Sequence, residues 1–61
     1  MIIKTNKGTF KSFRDIRTDM RVEKYDSIFI ESVNWWGTEL IVGGGAVYSK
    51  EEIDKIIEDD F

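Results

Sequence analysis

Charged side chains are the reactive groups this chain supplies in greatest number, and they are sorted by position. Lys4, Lys7, Lys11, Arg14, Arg17, Arg21 and Lys24 fall within residues 1–24, against Asp15, Asp19 and Glu23, a balance of +4. Residues 25–61 hold Lys50 and Lys55 against nine acids, a balance of −7, so the net charge of −3 conceals two opposed halves. A segregated field steers partners of either sign whatever the total.

Each half suggests its own chemistry. Lys11, Arg14, Arg17, Arg21 and Lys24 recur at intervals suited to tracking a phosphate backbone, with Phe10 or Trp36 as a stacking platform. Asp15, Asp19 and Glu23 are interleaved with them and are expected to pair with them locally. A dedicated nucleic-acid domain is usually basic overall, whereas the pI here is about 4.8. At the other end, Glu51, Asp54 and Glu58 fall at i, i+3 and i+7, one face of a helix, and Asp59 and Asp60 extend it. Acids in a last helical turn oppose the helix dipole. That local cost suggests a use elsewhere, such as imitating a row of phosphates before a basic protein surface; the alternative is that an acidic end simply maintains solubility.

Trp35 and Trp36 are adjacent, and on extended backbone adjacent side chains point to opposite faces. One indole is therefore expected to pack inward and the other to stand out as an interface anchor; the alternative is that both fold over the hairpin end and cover the small core. Gly43-Gly44-Gly45 precedes a helix but lacks the Gly-Lys-Ser/Thr of a phosphate loop. Glu51 and Glu52 also occupy the helix start where an anion would sit. A bend or bulge is the expected role of these glycines.

Catalytic equipment is thin. The chain has no His and no Cys, which removes the usual neutral-pH base, the thiolate nucleophile and the common zinc and copper ligand sets. Ser12, Ser27, Ser32 and Ser49 lie outside any Gly-x-Ser-x-Gly elbow. The acids form no Asp-x-Asp-x-Asp-Gly calcium loop. The expectation is a protein that is not an enzyme and uses no metal or cofactor. No apolar run approaches the roughly 18 residues of a membrane span. Met-Ile-Ile-Lys-Thr-Asn-Lys-Gly lacks the order of a signal peptide. A cytoplasmic protein with no membrane partner is expected.

The elements that must position these groups are those of one domain of 61 residues, near the lower size limit for autonomous folding. Ile2, Ile3 and Thr5 suit a strand, as do Thr9, Phe10 and Phe13, with Asn6-Lys7-Gly8 as the hairpin turn. Ser12 with Asp15 resembles a capping box, and Phe13, Ile16 and Met20 fall on one helical face. Thr18, Val22 and two aspartates have weak helical propensity. They predict a short helix over 12–18 followed by irregular or extended chain. Ser27–Val33 reads as a strand, Asn34-Trp35-Trp36-Gly37 as a connection, Thr38–Val42 as the return strand, and Ala46–Tyr48 as a brief resumption. Ser49 and Glu52 form a full capping box, Tyr48 and Ile53 a hydrophobic staple, and Ile53, Ile56 and Ile57 one stripe, which predicts a helix over 50–59.

The fold expected is α+β: a small antiparallel sheet of about four strands, a C-terminal helix packed on one face, and a short helical turn near residues 12–18. The function expected is a small protein-binding module. It would act as an intracellular inhibitor or regulator that occludes a surface of a larger, nucleic-acid-handling protein, in the manner of small phage and mobile-element proteins. Its contacts would be Trp35, Trp36, Glu51, Asp54, Glu58, Asp59 and Asp60. The alternatives are a nucleic-acid-binding module built on the basic row and a structural homo-oligomer joined through sheet edges or tryptophans.

Overall fold

The structure, a computed structural model, describes residues 1–35, 38–40 and 45–60. The chain runs β1 (Ile2–Thr5), β2 (Gly8–Phe10), α1 (Phe13–Glu23), β3 (Ser27–Trp35), β4 (Thr38–Leu40), β5 (Ala46–Ser49) and α2 (Lys50–Asp60). All strand pairs are antiparallel: β2 on β1, β1 on β3, and both β4 and β5 on β3. The long β3 holds β5 along its first half, Ser27–Ile30, and β4 along its second, Val33–Trp35. Among the described residues the sheet is therefore four strands wide, as expected, although five strands build it.

The β1–β2 turn is built from side chains as well as backbone. Thr5 Oγ1 donates to the Gly8 carbonyl at 2.7 Å and accepts from the Lys7 N–H at 3.0 Å. Gly8 adopts φ 125°, a conformation that disfavours a Cβ. Asn6 then prolongs the β1–β3 ladder: its N–H donates to the Phe29 carbonyl at 3.0 Å and its Oδ1 accepts from the Phe29 N–H at 3.1 Å.

A β-bulge sets which residues enter the core. Lys4 pairs with Ser32 but Thr5 pairs with Ile30, so Glu31 is the extra residue on β3. An added residue reverses the in–out alternation beyond it. That reversal is why Ile28, Ile30 and Val33 are all buried although their spacing breaks the two-residue period. Together with Ile3, Phe13, Ile16, Met20 and Ile53 they form the core, between one sheet face and the two helices.

Three expectations about boundaries need correction. Phe13 belongs to α1, where it is buried, and not to the second strand. The helix expected over 12–18 begins where predicted, with the Asp15 N–H donating to Ser12 Oγ at 3.1 Å, but it continues to Glu23. Burial of Met20 outweighs the weak propensities of its neighbours. Lys24 then ends the helix in the left-handed region, at φ 58° and ψ 40°. The strand expected over Ser27–Val33 reaches Trp35, which pairs with Thr38, so Asn34 and Trp35 are ladder residues and not connection. Trp36, Gly37, Ile41, Val42, Gly43 and Gly44 lie outside the described residues, as does Phe61.

α2 is the element that the sequence specified most fully. Ser49 Oγ accepts from the Glu52 N–H at 3.2 Å, and Glu52 Oε1 accepts from the Ser49 N–H at 3.1 Å, a reciprocal capping box. Tyr48 packs against the cluster that contains Ile53. The start of α2 is also tied to the α1–β3 loop, where the Lys50 N–H donates to the Asp26 carbonyl at 3.2 Å. No described helix is long and apolar enough to cross a membrane.

Candidate interaction surface

The basic and acidic rows of the sequence become two helix flanks in the structure. Each helical residue advances roughly 100°, so Arg14 and Arg21 lie within about 60° of Arg17 around α1. By the same geometry Glu51 and Glu58 lie within about 60° of Asp54 around α2. Arg17 Nε lies 2.9 Å from Asp54 Oδ1, with both side chains partly exposed. The two rows therefore border each other across the α1–α2 seam. Lys11 precedes the Ser12 cap and Lys24 follows the last helical residue, so neither shares the flank's helical register.

Once the helix runs to Glu23, the spacing within α1 does not favour the expected local pairing. Asp15, Asp19 and Glu23 are spaced by four, and Arg14, Arg17 and Arg21 by three and four. No opposite pair in α1 falls at i,i+3 or i,i+4; like charges stack instead, which disfavours an isolated helix. Compensation comes from other elements. Arg17 finds Asp54 on α2, and Asp19 Oδ2 accepts a 2.6 Å hydrogen bond from the Tyr25 hydroxyl.

Tyr25 was not singled out by the sequence, and it lies on the other flank of α1, because its partner Asp19 is about 160° around the helix from Arg17. Its ring lies 5.0 Å from Lys7 Nζ, and Lys7, Asp19, Glu23 and Tyr25 line a shallow polar notch of about 250 Å³. Burial, the Asp19 hydrogen bond and the charges of Asp19 and Glu23 all push its phenol well above the usual range, so it stays neutral. The signal was present only as a tyrosine six residues after Asp19. Its meaning needed the left-handed turn at Lys24 that brings the chain back over the helix end.

On α2, Glu51, Asp54, Glu58 and Asp59 are exposed. Asp59 lies on the flank turned away from α1, about 140° around the helix from Asp54, so it does not continue the Glu51–Asp54–Glu58 row. Asp60 is the last residue of α2, and the last turn holds no basic residue. Trp35 is the final residue of β3, at the sheet end remote from the start of α2. The proposed indole anchor at Trp36 falls outside the described residues. No family model matches the chain, and neither do the curated proteins or the solved structures.

Proposed function

We propose that this chain is a non-enzymatic protein-binding module, an inhibitor or regulator that covers a basic surface on a larger protein. The observation that carries the reading is the composition of α2. Its solvent side presents Glu51, Glu58 and Asp59, and no base offsets the acids of its last turn. Negative charge beside the C-terminal carbonyls costs roughly 0.3–1 kcal/mol at an exposed site. A partner's Lys or Arg side chains would repay that cost on docking and steer the encounter. Trp35 or Trp36 supplies the apolar anchor in this reading. Arg17 engages Asp54, which makes the basic row a weaker candidate for phosphate binding than the acids are for a basic partner.

The test is affinity capture from the native host's lysate with the wild-type chain and with Glu58→Gln/Asp59→Asn/Asp60→Asn. The expected result is one or few proteins retained by the wild type and lost, with faster dissociation, from the neutralised variant. An identical retained set from both would overturn the assignment of α2.

A further inference from the structure

We propose that β5 pairs edge to edge with β5 of a second copy, antiparallel about a twofold axis at Val47. The inference does not rest on the partner proposed above, although the two surfaces share Asp59 at their border. β5 pairs with β3 on one side, and among the described residues no strand pairs with its other side. An open strand edge displays a row of N–H and C=O groups that only another strand satisfies fully.

Proteins usually guard such edges with charge, proline or bulges. The opposite edge strand, β2, has a lysine at each end, Lys7 and Lys11, whereas β5 has Gly45 before it and a lysine, Lys50, only after it. β5 reads Ala46-Val47-Tyr48-Ser49, with neither charge nor proline. Both faces of this edge are apolar. On the open face Val47 is 60% exposed and lies opposite Phe29 in the ladder. On the helix face Tyr48 and Ile56 are only partly buried. Ile56 sits about 160° from Asp54 around α2, on the flank turned away from α1 and toward this edge.

A second copy fits the edge better than an unrelated strand does, because a twofold axis makes the patch its own complement. Pairing would align Phe29, Val47, and the second copy's Val47 and Phe29 as one aromatic and β-branched strip across the joined sheet. On the neighbouring helix flank Lys55 lies between Glu52 and Asp59, so each copy offers both signs to the other.

Sedimentation equilibrium over a wide concentration range decides the matter, using the wild type, Val47→Lys and Val22→Lys. Val22 is 68% exposed on α1 and serves as the control. The expected result is a wild-type dimer, a dimer at least about tenfold weaker for Val47→Lys by disruption of an apolar cross-strand pair, and no change for Val22→Lys. A wild type that stays monomeric overturns the proposal, even if β5 accepts a foreign strand peptide. So does a Val47→Lys dimer of undiminished strength, or an equal loss in both variants. Should Val47→Lys fail to fold, wild-type amide exchange decides instead. The Ser49 N–H is held by Glu52 Oε1, so the amide to follow is that of Val47, which must exchange more slowly at high concentration than at low; exchange independent of concentration sinks the pairing.

Discussion

Arg17 on α1 and Asp54 on α2 meet at 2.9 Å, and this contact joins the two oppositely charged halves of the sequence within one molecule. The sorted charge that suggests external partners is thus partly an internal matter of helix docking. With the Arg17 side chain 24% and the Asp54 side chain 51% exposed, water screens the pair. A double-mutant cycle of Arg17→Ala and Asp54→Ala should give a coupling of about 0.2–1 kcal/mol that shrinks as salt is raised. Denaturant unfolding at low and high ionic strength measures it. A coupling of zero at low salt would show that the helices dock by apolar contact alone.

Met20 separates the observed helix from the shorter one that the propensities suggest. It is fully buried in the core, one turn beyond residue 16. Met20→Ala should cost about 2–5 kcal/mol. Total stability for a chain this size is on the order of 3–9 kcal/mol, so the variant should lose a large share of it and unfold at a much lower denaturant midpoint. Val22→Ala on the same helix, at an exposed position, should change stability by no more than about 0.5 kcal/mol. Equal effects from the two would mean the last turns of α1 do not pack as described.

What the sequence made legible was local. The α2 start, the β1–β2 hairpin and the central strand were all written in short-range signals: a Ser-x-x-Glu cap, an Asn-Lys-Gly turn, a β-branched run. What stayed hidden depended on partners distant in sequence. The length of α1 depends on Met20 meeting the sheet, and weak local propensities argued against it. The bulge at Glu31 is set by pairing with β1, twenty-odd residues away, so no pattern within β3 announces it. The fates of Arg17 and Asp19 depend on Asp54 and Tyr25. Their spacing did carry a clue, since like charges at i,i+4 cannot neutralise each other, but it could be read only after the helix was known to reach Glu23.

Lys24 occupies the left-handed region that favours glycine. A side chain there costs roughly 1–2 kcal/mol, while glycine adds backbone entropy to the unfolded chain. Lys24→Gly should therefore stabilise the fold by a net of about 0.5–1 kcal/mol, seen as a higher denaturant midpoint with an unchanged slope. A β-branched residue such as Val at the same position should destabilise it. If Lys24→Gly lowers the midpoint, the Lys24 side chain contributes a contact that outweighs its backbone strain.

Tyr25 ties stability to alkaline pH with a definite sign. Burial, then the Asp19 hydrogen bond, then the charges of Asp19 and Glu23 hold its folded pKa above the ordinary phenol value near 10. The folded state therefore keeps a proton that the unfolded state releases. The resulting contribution is fully present below pH of about 10 and is lost as pH rises from there toward the folded pKa. Stability should fall more steeply above that point in the wild type than in Tyr25→Phe, and subtracting the two curves removes the lysines' own titration. Ultraviolet titration of the phenolate in a Tyr48→Phe background isolates Tyr25. Its ionisation should begin well above the usual range and move downward in Asp19→Asn, which removes the acceptor and its charge together. A Tyr25 that ionises at the ordinary value in the folded chain would mean the 2.6 Å bond to Asp19 does not form in solution.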